Sequence, residues 1–406
     1  MIRWTAWLIV SSLAAVPARS AAVPDLPGES PFPGRFEAEV RPRYNHIEES
    51  DRPLVTEGGT LRAVAAWHSA PWHGLRLTLE GIHAAHFGPE RFNDDPARFA
   101  TSPYPLLPDP RHTGWNRAHV DYSPIEGVRI RAGRQRLCLD NQRWISDNDF
   151  RQVPQLFDGV TVAHDLPANA RVTAGHYTRI RDTSGDAQDV KLTVLNAAWN
   201  PAPGHAVAAY GYFHDQPKTA NFTGFADNSY RAIGVRAEGT AWRWGRFDVP
   251  YVAELAVQRP HGGGDRRIRA KYWRVGAGLA TGAWTVRMDH ETRGSNAGQY
   301  GMQMPLTDFY GFNGWTLHFF TVPPEGLRDR WATLRYAVGP LTLYVEGHRF
   351  RSDFGALDLG READVGVTWE AGPGTHLRLQ HARYDPGSGR DAPEIRKTWL
   401  TLTWTY

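Results

Sequence analysis

From Arg35 to Tyr406, apolar and polar residues alternate with a period of two, and no stretch sustains the 3.6-residue repeat of a helix. Leu75, Leu77 and Leu79 alternate with Arg76, Thr78 and Glu80, and Val128, Ile130 and Ala132 with Arg129, Arg131 and Gly133. The pattern returns at Ala253, Leu255 and Val257 against Glu254, Ala256 and Gln258, and at Trp273, Val275, Ala277 and Leu279 against Arg274, Gly276 and Gly278. Successive side chains of a strand point to opposite faces, so each segment presents one apolar and one polar face. A soluble sandwich would pack the apolar face into a core. A membrane barrel would turn it to lipid and line a lumen with the other.

The connections separate these two cases. Eighteen strands are predicted, near 35–44, 60–68, 74–84, 115–122, 127–136, 157–164, 171–179, 190–199, 206–214, 230–238, 249–258, 271–280, 283–291, 331–338, 341–350, 362–370, 375–384 and 396–406. Every second connection is brief: Ala70 to His73, Ser123 to Glu126, Asp165 to Ala170, Pro201 to Gly204, Thr281-Gly282, Gly339-Pro340 and Ala371 to Gly374, with Gly239 to Asp248 somewhat longer. The intervening connections are long, at 85–114, 137–156, 215–229, 259–270, 292–330 and 385–395. Short turns at one rim, long loops at the other and an even strand number mark a bacterial outer-membrane barrel. The expectation is an all-β, transmembrane outer-membrane β-barrel of about eighteen antiparallel strands, with a 292–330 loop long enough to fold inward. In the last segment Leu400, Leu402, Trp404 and Tyr406 share one face, an aromatic ending of the kind barrel-assembly machinery recognises.

The N-terminus supports export. Arg3 precedes an apolar run from Trp4 to Val16, and Pro17-Ala18-Arg19-Ser20-Ala21-Ala22 supplies small residues for cleavage. Residues 1–22 are read as a signal peptide and 23–406 as a single barrel domain. The apolar run is shorter than the ~20 residues a membrane helix needs. A mean hydropathy of -0.49 excludes a helical membrane protein. The single cysteine, Cys138, excludes an internal disulfide, so an exported chain of this size needs another source of stability, which barrel closure would provide.

Net charge says little, because loss of Arg3 and Arg19 would bring +3 down to about +1. The choice of cation says more. Lys191, Lys218, Lys271 and Lys397 are the only lysines among 46 basic residues, and arginine matches carboxylates with a planar fork. A G+C-rich genome would produce the same bias.

Strand parity places Arg35, Arg41, Arg62, Arg76, Arg117, Arg129, Arg131, Arg171, Lys191, Arg236, Arg274, Arg287, Arg335, Arg378 and Lys397 on the polar face. Glu37, Glu39, Glu80, Asp121, Glu238, Glu254, Asp289, Glu346 and Asp364 oppose them. Such an excess inside a low-dielectric wall would concentrate anions. The candidate solute path comprises Arg129, Arg131, Arg134, Arg136, Arg143 and Arg151, running from a strand into the next loop, together with Arg274, Arg287 and Arg335. Inward arginines can equally pair with acids to hold the wall, and Asp140, Asp147 and Asp149 lie close in sequence. No cofactor or metal motif is present. His83 and His86 would suit a metal on a helix, but they fall in a predicted strand. There is no GxSxG elbow, and Gly262-Gly263-Gly264 precedes no helix, so no enzyme is expected.

Three blocks carry a resemblance. The first is Gly133-Arg134-Gln135, Leu139-Asp140-Asn141-Gln142-Arg143, Arg151-Gln152 and Phe157-Asp158-Gly159. The second is Thr307-Asp308, Gly311-Phe312-Asn313-Gly314-Trp315, Phe319-Phe320-Thr321-Val322-Pro323-Pro324 and Gly326-Leu327-Arg328-Asp329. The third is His348-Arg349-Phe350-Arg351-Ser352-Asp353 with Gly360-Arg361-Glu362-Ala363-Asp364. Together they resemble the alginate-export outer-membrane channel family. The resemblance implies an eighteen-stranded monomeric barrel with an electropositive lumen that in some members conducts alginate outward. The partners it leads one to expect are outer-membrane lipids, an anionic polysaccharide or small anionic solute, and periplasmic export components, but no nucleic acid. An uptake porin for small organic acids or aromatic compounds is the alternative, and a barrel hydrolase a more distant one.

Overall fold

A computed structural model of the chain describes residues 34–217 and 223–406, so the signal-peptide reading of 1–22 lies outside the described residues. Among the described residues, eighteen strands of 8 to 17 residues form one antiparallel sheet, each paired with its neighbour in sequence. The first strand, Gly34–Glu49, pairs with the last, Ile395–Thr405, through Tyr44 opposite Leu400 and Ile47 opposite Lys397. The sheet is therefore a closed barrel. Closure matters because lipid offers no partner for an exposed backbone N–H or C=O, and a barrel leaves no edge. A two-residue segment, Ala187–Gln188, adds a short ladder beside Ala170–Arg181 without entering the wall.

The short connections span 70–74, 123–127, 167–169, 200–204, 245–246, 282–283, 339–340 and 373–374, all at the rim that also holds both ends of the described chain. Positive-φ residues make these turns possible, as at Gly282 and Gly374, where φ is +54° and +67°. The predicted strands stopped short at several places. Gly34–Glu49 and Thr56–Ser69 leave a loop of only 50–55, Leu75–Arg91 runs past His83 and His86, and Tyr230–Trp244 reaches its partner Phe247–Pro260 across a bulge between Thr240 and Arg243. Those extensions are polar or glycine-rich, so the alternation fades before the backbone pairing does.

The outer face is apolar. Leu195, Ile233, Val235, Leu255, Val275, Val286 and Leu379 are exposed on it, as a lipid-facing band requires. Trp72, Trp199, Trp244, Trp284, Trp369 and Trp404 are exposed close to the short turns, forming an aromatic girdle at that interface.

The packed core sits inside the barrel. Leu137, Trp144 and Ile145 of the 136–155 loop and Tyr300, Met302, Met304 and Leu306 of the 294–326 loop pack against inward-facing Tyr177, Tyr210, Tyr212, Tyr230 and Tyr272. Along this arc the inner face is apolar too, and that reverses one assignment. In Lys191–Trp199 the buried, inward residues are Leu192, Val194 and Asn196, while Leu195 is exposed to lipid, so Lys191 shares the outer face. With both faces apolar, alternation had no sign to read.

Candidate functional site: the channel lumen

Two long loops leave the same rim and fold into the barrel. In the first, Arg143 forms a fork to Glu291 on the strand Trp284–Arg293, and both side chains are buried. Arg143 also donates to Asn313 Oδ1 at 2.7 Å. Trp144 Nε1 donates to Glu254 at 3.0 Å, and Gln152 reaches the opposite wall at Thr60 Oγ1, 2.9 Å away. In the second, Gln258 donates to the Gln303 carbonyl, the Thr316 hydroxyl donates to Glu362 at 2.6 Å, and Lys397 donates to the Thr316 carbonyl at 2.6 Å.

The loops also hold each other. Ser146 N donates to Leu306 O at 2.8 Å, Asp308 N to Gln142 O at 3.0 Å and Phe309 N to Asn148 Oδ1 at 3.1 Å. Phe150 and Tyr310 stack with centroids 3.6 Å apart. A lumen crossed by loops bonded to both walls and to each other is a constriction.

Asp149 organises its cationic side. Arg62 and Arg136 each donate to Asp149 Oδ1 at 2.8 Å, and Arg41 lies 3.5 Å from Oδ2. Burial by itself would raise this carboxyl, but Arg62, Arg136 and Arg41 outweigh it and hold the group well below the usual carboxylate range. Arg43 completes the cluster: it donates to Phe150 O at 2.7 Å, lies over the Phe150 ring and pairs with Asp109 at 3.4 Å. The parity list passed over Arg43 although it continues the register of Arg41, and that register was the signal.

The nine arginines singled out from sequence divide by partner. Arg131 pairs with Asp121 at 2.8 Å, Arg134 with Asp158 at 2.8 Å, Arg136 with Asp149, and Arg143 with Glu291. Arg274 and Arg287 both lie on Asp289, at 3.0 and 3.2 Å. For these six the ion pair is the observed contact, but Arg134 and Asp158 are out of phase with the inward Gln135 and Phe157 and stand on the outer face, so Arg134, expected on the solute path, is not in the lumen. Arg129, Arg151 and Arg335 make no ion pair with a carboxylate among the described residues, and neither do the inward Arg76 and Arg378. Arg151 lends its carbonyl to Arg41 and Arg62 while its half-buried guanidinium stays open. Burial lowers its pKa from the ordinary arginine value, against a counter-pull from Asp109. Arg76, Arg129, Arg335 and Arg378 stand within a few residues of the short turns, as an interrupted ring of unpaired cations near that mouth.

The barrel resembles solved outer-membrane proteins across nearly its whole length. Superposed on OccK9 (OpdG) of Pseudomonas aeruginosa it gives a TM-score of 0.70 at 16% identity, covering 92% of this chain and 98% of that one. On P. aeruginosa OpdK crystallised with vanillate the values are 0.68, 14%, 91% and 98%. On OccAB4 of Acinetobacter baumannii they are 0.69, 12%, 93% and 100%. At these identities the likeness establishes the fold. No protein of curated function matches by sequence. The alginate export family profile matches residues 75–314, which contain the whole of the 136–155 loop and the 294–326 loop as far as Gly314. The chain is an outer-membrane porin and belongs to the alginate export family.

Proposed function

We propose that the barrel is a passive, anion-selective channel whose solute is a uronate-containing exopolysaccharide such as alginate, or its fragments. Family membership supports the solute class, and one observation supports the charge selectivity. The uncompensated arginines, Arg129, Arg151, Arg335, Arg76 and Arg378, retain contact with lumen water, whereas of the inward strand acids without an arginine or lysine partner Glu254, Asp329, Glu362 and Asp364 are buried and Glu346 is half-buried. A passing carboxylate therefore meets exposed positive charge.

Each such contact is weak, on the order of 1 kcal/mol at 4 Å in water and more where the wall excludes it. Several weak sites in series let an anion enter and leave again, which one strong site would prevent. Arg131, Arg136, Arg143, Arg274 and Arg287 act on the solute through the field they share with their paired acids. In this reading the mature chain begins after residue 22 and works as a monomer with periplasmic export components as candidate partners.

Substituting Arg129, Arg151 and Arg335 together by Gln should lower the anion-to-cation permeability ratio in bilayers under a salt gradient. An unchanged reversal potential would refute the proposal. The interlocked loops favour a second reading, uptake of small organic or aromatic acids, since they narrow the path to a slender solute. Deletion would then impair growth on such acids and leave polymer secretion intact.

A further inference from the structure

The lumen wall carries one cluster that runs against its arginine-rich chemistry. Asp329 on Leu327–Val338, Glu346 and His348 on Leu341–Arg351, and Glu362 and Asp364 on Asp358–Gly372 face inward together. Asp329, Glu362, Asp364 and His348 are buried, with Asp364 only 2% and His348 6% exposed. None of the four carboxylates makes an ion pair with arginine or lysine among the described residues; their one cationic neighbour within that range is His348. Lys397 is directed instead to the Thr316 carbonyl. Four acids against at most one imidazolium leave a net negative charge in a buried site, which is costly unless something compensates it.

Two atoms point to what does. His348 Nε2 and Asp364 Oδ1 are buried and have no hydrogen-bond partner. Nε2 lies 3.7 Å from Glu346 Oε2 and 3.8 Å from Asp364 Oδ2, too far for hydrogen bonds, and the ligand atoms of the three residues all fall within 4.8 Å of one another. A tetrahedral ion with bonds of ~2.1 Å holds its ligand atoms about 3.4 Å apart, so the two spacings from His348 Nε2 need to close by only a few tenths of an ångström, and the carboxylates, within 4.8 Å, by no more than about 1.4 Å.

The second sphere is also in place. Asp329 accepts from His348 Nδ1 at 3.0 and 3.1 Å, which fixes the ring and leaves Nε2 as the free donor atom, the carboxylate–histidine–metal arrangement. Trp331 stacks on the same ring at 5.7 Å. We propose that His348, Glu346 and Asp364 form a binding site for a divalent transition-metal cation, with Asp329 as the positioning residue and water completing the shell. One imidazole with two carboxylates suits Zn2+ or Mn2+ better than Ca2+, which takes oxygen ligands only. Asp364 also accepts from Trp315 N at 3.4 Å, and Glu362 from Thr316 N at 2.7 Å, so the ion would sit directly behind the constriction loop.

The probe is Zn2+, added to untagged, detergent-purified protein first stripped with EDTA. Equilibrium dialysis with elemental analysis should find one ion per chain, and Co2+ in its place should give visible d–d absorption. His348→Ala and the near-isosteric Asp364→Asn should each abolish stoichiometric binding, and Asp329→Asn should weaken it by about 10–100-fold. Retained heat-modifiable migration of the variants would show that the barrel still closes. Substoichiometric zinc in the native chain, or equal binding by Asp364→Asn, would overturn the site and mean that shared protons neutralise the cluster. Either outcome leaves the anion-selectivity test unaffected, since none of its arginines belongs to this site.

Discussion

Two carboxylates in the inward loops respond to pH in opposite senses. Asp308 is pushed up to about 6 by burial, with Asp147 adding to the rise and Arg143 together with the Tyr310 and Gly311 amides opposing it. Asp149 is held down by its three arginines against the same burial cost. An unfolded Asp titrates near 3.9. Because the folded pKa of Asp308 is raised, its contribution is complete below about 4 and disappears as pH climbs through about 6. That of Asp149 is present above about 4 and disappears only on further acidification. The loops should therefore be held most firmly between about pH 4 and 6. The hydrogen-exchange protection of 294–326, corrected for the intrinsic pH dependence of amide exchange, should rise between pH 7.5 and 5, by no more than the ~3 kcal/mol that two pKa units represent. Asp308→Asn keeps the acceptor and removes the charge, so its protection should vary less with pH; a slope equal to the native one would assign the effect to another group.

The loops are locked by pairs whose halves lie far apart in sequence, of which Arg143 with Glu291 is the most enclosed, each side chain being 1% exposed. Removing one partner strands the other charge in a dry site, a loss of about 3–5 kcal/mol, whereas removing both is far less damaging. Arg143→Met should release the constriction, seen as higher and noisier single-channel conductance, and adding Glu291→Gln should restore much of the quiet native trace. A double variant as noisy as the single one would mean that packing around Trp144, rather than charge, holds the loop. This coupling also explains what could be read from the chain alone. The eighteen strands were legible because lipid on one side and polar lumen on the other stamp a period of two on the sequence. The loops carry no period, so length alone pointed to the entry of 292–330, and for 137–156 the one sign was the run of arginines that continues into it at Arg143 and Arg151. Lys191 was misplaced where tyrosines and leucines turned the lumen wall apolar. The acid cluster at His348 was invisible because its members come from three strands, and Glu346 and Asp364 had entered the parity count as ordinary counter-charges.

The molecule as a whole reverses the usual arrangement of a globular protein. Its interior holds buried ion pairs and tyrosine hydroxyls, and its exterior presents Leu255 at 61% and Val235 at 53% exposure, which in water would be an aggregation surface. Lipid therefore has to supply the apolar solvent, and the stability of the closed sheet depends on it. Leu255 sits mid-strand in Phe247–Pro260, opposite Trp273 and Val235 across its two ladders, well away from the girdle at the short turns. Leu255→Arg places a charge near the bilayer midplane at a cost of about 2–4 kcal/mol, while the same substitution at Trp244, beside the short turn Gly245-Arg246, should cost about 0–1 kcal/mol. Folding titrations into phospholipid vesicles would read both differences directly. Equal penalties at the two positions, or none at Leu255, would mean that this face does not meet hydrocarbon. A depth-dependent penalty ties the outward alternation to the bilayer and, by the same parity, fixes the unpaired arginines on the side that meets the solute.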